Sequence, residues 1–139
     1  MHIKKMGKGP DLVMLHGWSM HSAVWHDLAE SLAQHFTLYL VDLPGHGQSE
    51  WQDNALNLDV LLANLASELP KSAYWLGWSL GGLISIAFAA QFPERVKKLV
   101  LLAATPCFVK KPDWSCAMEP DVFQAFSDNL AENQADTLQ

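Results

Sequence analysis

The stretch Gly77-Trp78-Ser79-Leu80-Gly81-Gly82 decides how this sequence folds and where its chemistry lies. It separates a β-rich run at residues 73–76 from residues 83–90, which are apolar nearly all round and predict a buried helix. A serine on such a sharp strand-to-helix turn adopts a strained backbone, and the flanking glycines leave room for it. The turn places the Ser79 hydroxyl at the end of the sheet, beside the free N–H groups and positive dipole end of the helix. This pattern favours a nucleophilic serine over the alternative, a tight turn without chemistry.

On both sides of this turn the sequence alternates short β-rich runs with helical stripes, in the order β-α-β-α-β-α-β. Such alternation predicts an α/β fold, a mostly parallel sheet with helices on both faces. Ligands bind such sheets at the carboxyl ends of the strands, so we expect the chemistry just after each strand. Strands are predicted over residues 12–15, 37–41, 73–76 and 96–103, and the first two helices over residues 24–32, capped by Ser22, and 58–69, capped by Asn57 and stopped by Pro70.

The segment His16-Gly17-Trp18-Ser19 directly follows the first predicted strand. An enzyme that transfers acyl groups needs N–H donors aimed at the oxygen on which negative charge develops. A glycine-containing turn here can present the backbone N–H of Trp18, and the N–H of Leu80, just after the serine, would be the second donor. The alternative is that His16 and Gly17 only shape a turn. Beside Ser79 we favour an oxyanion hole.

The segment from Asp42 to Ser49 follows the second predicted strand and carries one proline and two glycines. These residues predict a tight loop at the carboxyl edge of the sheet. Asp42 could serve as the acid of a catalytic triad, but its loop is typical of turn geometry. We therefore favour a structural role for Asp42.

Composition narrows the classes of function that this chain can have. It has 139 residues, half of them hydrophobic and 17% charged, which excludes a wholly disordered chain. The net charge of −6 argues against a nucleic-acid or anionic-membrane partner. No apolar run is long enough to span a bilayer, no secretory signal is visible, and there are two cysteines, Cys107 and Cys116. We expect a cytoplasmic protein without a metal site.

Taken together, His16-Gly17, Asp42-x-Pro-Gly-x-Gly-x-Ser49 and Gly77-x-Ser-x-Gly-Gly82 resemble the α/β-hydrolase family in order and spacing. Finer detail resembles the carboxylesterases of this family that cleave the methyl ester of pimeloyl-acyl carrier protein in biotin biosynthesis. The segments that carry the finer resemblance are residues 15–18, 36–38, 41–45, 75–83, 93–96 and 106–108, Trp114, and residues 119–122.

This resemblance implies a serine carboxylesterase with an acyl-enzyme mechanism and no cofactor. Ser79 would be the nucleophile, the N–H groups of Trp18 and Leu80 the oxyanion donors, and the Trp18 side chain a wall of the acyl pocket. The remaining motif positions are His16, Gly17, Gly77 and Gly81. The implied partner is a small ester or a methyl ester bound to acyl carrier protein.

The sequence departs from the family after Ser79. In the family the triad acid and histidine follow the serine, whereas the last histidine here is His46. Since its turn constrains His16, we do not expect either His16 or His46 to act as the base. The resemblance thus predicts an N-terminal half, with a partial core over residues 1–105 and a connector and first cap helix over 106–139. The alternatives are a catalytically incomplete half-domain and another hydrolase of this fold, such as a C–C bond hydrolase or a haloperoxidase.

Two surface features lie in the second half of the chain. Residues 96–103 form an apolar strand that we expect at an open sheet edge, through which copies of the chain would self-associate. Five basic residues, Arg95, Lys97, Lys98, Lys110 and Lys111, gather around and after this strand. We interpret these residues as solvating charges around the strand; the alternative is a docking patch for an acidic carrier protein.

Overall fold

The computed structural model describes residues 1–51, 53–54 and 57–132, apart from the side chains of Leu130 and Ala131. A five-stranded sheet and three helices lie within Met1–Ala104, and a fourth helix lies in a second compact unit, Thr105–Gln139. The strands are β1 (His2–Gly7), β2 (Asp11–Leu15), β3 (Thr37–Asp42), β4 (Ala73–Trp78) and β5 (Val96–Leu102). The helices are α1 (His26–Leu32), α2 (Leu58–Glu68), α3 (Leu80–Gln91) and α4 (Pro120–Glu132), and 3₁₀ turns cover Ser22–Trp25 and Pro93–Arg95.

The strands are ordered β1-β3-β2-β4-β5, and only β1 runs antiparallel to its neighbour. The four predicted parallel strands are confirmed, whereas β1 was not predicted from the sequence. The register aligns Leu15 with Val41 on one side and with Gly77 on the other. The loops that follow β2, β3 and β4 therefore begin at the same level of the carboxyl edge.

Helices cover both faces of the sheet, as the alternating pattern predicted. On one face, α2 and α3 contribute Leu65 and Phe88 to a cluster with Val13 and other inward-facing strand residues. On the other face, Trp25 and Ala29 pack with a second cluster of strand residues. Successive residues of β2 alternate between the two clusters because side chains of a strand point to opposite faces.

The helix starts agree with the predictions at one position and differ at another. Asn57 caps α2, since its side-chain oxygen accepts the N–H groups of Asp59 and Val60. The prediction that Ser22 caps the preceding helix is wrong. The side chain of His21 caps a 3₁₀ turn there, and the Ser22 N–H donates instead to Asp42 at 2.7 Å.

The last three residues of β5, the strand at this edge of the sheet, are exposed on both faces. Val100 is 52% exposed, and Leu101 and Leu102 are 40% and 41% exposed. Within the part of the chain that the structure describes, β4 is the only strand that pairs with β5. This places an open, apolar edge where the sequence predicted one.

The second unit contains α4 and a short bridged loop before it. Lys110 and Glu119 form an ion pair, and the backbone N–H of Lys110 donates to the Met118 carbonyl. An apolar stripe along α4 comprises Val122, Phe123, Phe126 and Leu130, and the Leu130 side chain falls outside the described residues. No helix among the described residues is long and apolar enough to cross a membrane.

Candidate active site

Ser79 occupies a strained turn between β4 and α3. Its backbone angles are φ 52° and ψ −114°, a left-handed conformation that residues with a Cβ adopt at a cost. The Ser79 N–H donates to the Leu102 carbonyl at 2.9 Å, which anchors the turn to β5. A Cβ on Gly77 would lie 2.5 Å from the Gly81 carbonyl oxygen, so the chain turns this sharply only with glycine there.

The His-Gly turn after β2 lies directly against this serine. A Cβ built on Gly17 would lie 3.5 Å from the Cβ of Ser79 and 3.3 Å from the Trp78 ring. A Cβ on Gly81 would lie 2.3 Å from the Leu15 carbonyl oxygen, so the first turn of α3 touches the end of β2. The structure thus brings Ser79, the start of α3 and the Gly17 turn together at the carboxyl edge. Trp18 and Leu80, whose N–H groups are the predicted oxyanion donors, are half-buried there.

His16 is fully buried, and the backbone holds both nitrogens of its ring. Its Nε2 lies 3.0 Å from the Leu43 N–H, which can only donate, so Nε2 accepts and Nδ1 carries the proton. Nδ1 then donates to the Gly17 carbonyl at 2.8 Å. Burial lowers the pKa of His16, against a smaller opposing effect of the Gly17 carbonyl. His16 is therefore a neutral imidazole that links the loop after β2 to the loop after β3.

Asp42 ties the next loop to the sheet. Its carboxylate, in a side chain only 1% exposed, accepts the N–H of Ser22 at 2.7 Å and the N–H of Gln48 at 2.9 Å. Burial alone would raise the pKa of Asp42, but these hydrogen bonds outweigh it and lower the pKa below its usual value. A Cβ on Gly47 would lie 2.4 Å from Asp42 Oδ2, so the loop closes tightly around the carboxylate. These contacts support the structural interpretation of Asp42.

Neither histidine near this edge is bonded to the serine. The ring nitrogens of His16 are occupied as described, and Nδ1 of His46 lies 2.9 Å from the Pro44 carbonyl. The two rings pack against each other with centroids 5.2 Å apart. Among the hydrogen bonds of the described residues, no histidine serves Ser79 as a base. The described residues also contain no cluster of three His, Cys, Asp or Glu side chains that could hold a metal ion.

Sequence reasoning missed the role of Arg95, which it grouped with surface charges. The guanidinium donates to the carbonyls of Ala66, Leu69 and Pro70 at 2.7, 3.0 and 3.1 Å. It also lies 5.6 Å from the centroid of the Phe88 ring. Arg95 therefore satisfies one carbonyl in the last turn of α2 and those of the two residues that follow the helix. A helix that stops before a proline leaves its last carbonyls without backbone donors. Pro70 was therefore the signal in the sequence that a side-chain donor is needed there.

A strained serine at a strand-to-helix turn, on the carboxyl edge of a mostly parallel sheet with helices on both faces, defines an α/β hydrolase. The alpha/beta hydrolase fold family matches residues 10–135, and the chain belongs to that family. This result confirms the fold class and the family resemblance.

Curated relatives give the comparison more detail. Pimeloyl-[acyl-carrier protein] methyl ester esterase of Nitrosomonas europaea is 52% identical over 139 residues, which are 99% of this chain and 54% of the relative. The protein of the same name from Xylella fastidiosa (strain M12) is 47% identical over 138 residues, 99% of this chain and 53% of the relative. The chain thus spans about half the length of these relatives.

Solved structures agree on the fold. The esterase EaEST from Exiguobacterium antarcticum superposes with a TM-score of 0.87 at 22% identity, over 99% of this chain and 54% of the esterase. At that identity the likeness concerns the fold alone.

Proposed function

We propose that this chain carries the nucleophile and the oxyanion hole of a carboxylic ester hydrolase. The observation that carries the proposal is the conformation of Ser79, φ 52° and ψ −114°, with the Gly17 turn against its Cβ. Strain of this kind persists where the surrounding structure enforces it, and it is concentrated at active sites. The names of the relatives favour, as substrate, the methyl ester of an acyl chain carried by acyl carrier protein.

The proposed reaction proceeds through an acyl-enzyme. Ser79 Oγ attacks the ester carbonyl carbon while a base accepts its proton. The carbonyl oxygen becomes an oxyanion, and the N–H groups of Trp18 and Leu80 donate to it. Collapse of this intermediate breaks the ester bond, and the leaving methoxide takes the proton and departs as methanol. Water then attacks the acyl-enzyme in the same way, which releases the carboxylic acid and restores the serine hydroxyl.

The hydrogen bonds of His16 and His46 favour a second candidate, a half-domain that folds without turnover. A serine hydroxyl reacts slowly without a base within hydrogen-bond reach. The backbone carbonyl of Pro44 holds His46, and the backbone holds both ring nitrogens of His16. In this case the nucleophile and the oxyanion donors would be in place, and the base would have to come from elsewhere.

The remaining assignments rest on the resemblance to the family. We propose that residues 106–139 are the connector and first cap helix of a hydrolase whose partial core is residues 1–105, and that the protein acts in the cytoplasm. Of the basic residues near β5, Lys97 and Lys98 are exposed, whereas Arg95 is committed to α2. These two lysines are the exposed positive charges of β5 that would face an acidic carrier protein.

The experiment is hydrolysis of a short activated ester by the 139-residue chain, beside Ser79→Ala and Ser67→Ala. Ser67 is exposed on α2, and its hydroxyl bonds only the Asn64 carbonyl, so its variant controls for loss of a serine. Turnover by the parent and Ser67→Ala but not by Ser79→Ala would support the esterase. Equal rates for all three, at the level of buffer, would support the half-domain.

The substrate class needs a second assay. Mass spectrometry of acyl carrier protein that carries a methyl-esterified acyl chain would show loss of the methyl group if the proposed substrate is correct. Cleavage of a carbon–carbon bond or oxidation of halide by the same chain, with no ester turnover, would favour the other hydrolase classes.

A further inference from the structure

The turn that holds the first oxyanion donor is under strain and needs support. Ser19, the residue after Trp18, has φ 58°, which is costly for a residue with a Cβ. The Gly17 carbonyl accepts the Met20 N–H at 3.2 Å, which closes the turn. The same carbonyl accepts the Nδ1–H of His16 at 2.8 Å, the shorter of its two hydrogen bonds.

The geometry of one peptide unit connects this contact to the oxyanion. The carbonyl of Gly17 and the N–H of Trp18 belong to the same planar trans peptide, so they point in opposite directions. Whatever fixes the carbonyl also fixes the N–H. The Gly17 carbonyl is directed at the His16 ring, and the Gly17 Cα lies against Ser79.

We propose that His16 is a positioning residue for the proposed hydrolase: its imidazole, held as the Nδ1–H tautomer by the Leu43 N–H, orients the Gly17–Trp18 peptide so that the Trp18 N–H serves the oxyanion. The role rests on the proposed function, because it concerns the donor that this function needs. The His16 ring thereby connects the loop after β3, which contains Leu43, to the Trp18 N–H after β2. Residues that act this way contribute through orientation of another group and do not touch the substrate.

Two substitutions each retain one of the two hydrogen bonds of the His16 ring and remove the other. The amide nitrogen of His16→Asn falls close to the position of Nδ1, so it can donate to Gly17 but cannot reach Leu43. The amide oxygen of His16→Gln falls close to the position of Nε2, so it can accept the Leu43 N–H. The Gly17 carbonyl then loses the hydrogen bond from residue 16 and keeps only the one from the Met20 N–H. We expect His16→Asn to keep the orientation of the peptide and His16→Gln to lose it.

The first measurement is made on the parent and needs no substitution. Nitrogen chemical shifts of the His16 imidazole in ¹⁵N-labelled chain distinguish the two neutral tautomers. Protonated Nδ1 with unprotonated Nε2 would support the proposal. The opposite tautomer would overturn it, because Nδ1 would then have no proton to donate to Gly17.

The second measurement follows the donor in the variants. We expect the Trp18 amide resonance and its hydrogen-exchange rate to stay close to those of the parent in His16→Asn and to change in His16→Gln. We also expect the rate at which a fluorophosphonate labels Ser79, with loss of fluoride, to fall by at least about tenfold in His16→Gln only. Urea unfolding shows whether each variant is folded. If His16→Gln is unfolded, the tautomer of the parent and the Trp18 amide of His16→Asn test the positioning role.

The outcomes separate this proposal from the one on which it rests. Failure of the parent to be labelled at Ser79 would count against the proposed function, and the Trp18 resonance would still decide the role of His16. Labelling of the parent, with an unchanged rate and an unchanged Trp18 amide in His16→Gln, would overturn the positioning role and leave the esterase intact. In that case the Met20 hydrogen bond alone would hold the peptide.

Discussion

Replacement of Ser79 by glycine should stabilise this fold relative to replacement by alanine. Both substitutions remove the hydroxyl, so the difference between them isolates the Cβ at a backbone of φ 52° and ψ −114°. Glycine adopts this conformation without a steric penalty, whereas alanine keeps the strain of serine.

The magnitude follows from two opposing effects. Strain at a sparsely populated backbone conformation costs about 1–3 kcal/mol, which glycine relieves. Glycine also loses more backbone entropy on folding, at a cost of about 0.5–1 kcal/mol relative to alanine. The net expectation is that Ser79→Gly exceeds Ser79→Ala by about 1 kcal/mol in the free energy of unfolding.

Urea unfolding followed by tryptophan fluorescence and by circular dichroism measures this difference. With a slope of about 1.5 kcal/mol/M, the midpoint of Ser79→Gly should lie about 0.7 M above that of Ser79→Ala. Equal midpoints at equal slopes would refute the reasoning, since the turn would then carry no strain in solution. Exposed Ser67→Gly and Ser67→Ala form the matched control on α2, where glycine should be the less stable of the two.

Three further predictions concern contacts away from the serine. Arg95→Met should lower the free energy of unfolding by about 2 kcal/mol, because three carbonyls lose their donor, whereas exposed Lys98→Met should change it by less than about 0.5 kcal/mol; urea midpoints test both. Asp42→Asn should lower the free energy of unfolding by about 2 kcal/mol near neutral pH. Because the folded-state pKa of Asp42 is lowered, the difference in stability between parent and variant should be full above about pH 4 and should disappear as the pH falls through the folded-state pKa. A difference that persists in acid would contradict the structural role of the Asp42 carboxylate. The 139-residue chain should self-associate through β5 in sedimentation velocity at micromolar concentration, and Val100→Lys should shift it toward the monomer; a sharp monomer peak for the parent would show that this edge does not pair.

The sequence allowed prediction of the parts of the fold that depend on local periodicity. Buried parallel strands have apolar runs, and amphipathic helices repeat their apolar positions every three to four residues, so both were visible without long-range knowledge. Asn57 capped its helix as expected because a cap depends only on the next few residues. The turn at Ser79 was predictable for a similar reason, since its glycines are required by contacts within the same strand-to-helix unit.

The features that sequence reasoning missed depend on contacts between distant segments. β1 is an edge strand with exposed Lys4 and Lys5, so its sequence contains no apolar run that would predict a strand. Its pairing with β3 defines it instead. Ser22 looked like a helix cap, but Asp42, 20 residues away, takes its N–H. Arg95 lies 25 to 29 residues from the carbonyls that it binds. None of these partners can be identified from spacing along the chain.

The arrangement around Ser79 relies on the absence of side chains. Gly77 admits the Gly81 carbonyl and Gly81 admits the end of β2, while Gly17 leaves room for the Trp78 ring beside Ser79. Each approach would place a Cβ within or close to contact distance of its neighbour, so the backbones of β2, β4 and α3 set the positions of Ser79 and of the proposed oxyanion donors. A general base, by contrast, must reach the serine with a side chain, and the backbone already holds His16 and His46. It follows that formation of the sheet is enough to place Ser79 beside the Gly17 turn, whereas supply of a general base is a separate requirement. Labelling of Ser79 by a fluorophosphonate and turnover of an ester both require that base, whereas the Trp18 amide resonance reports on the proposed oxyanion donor alone.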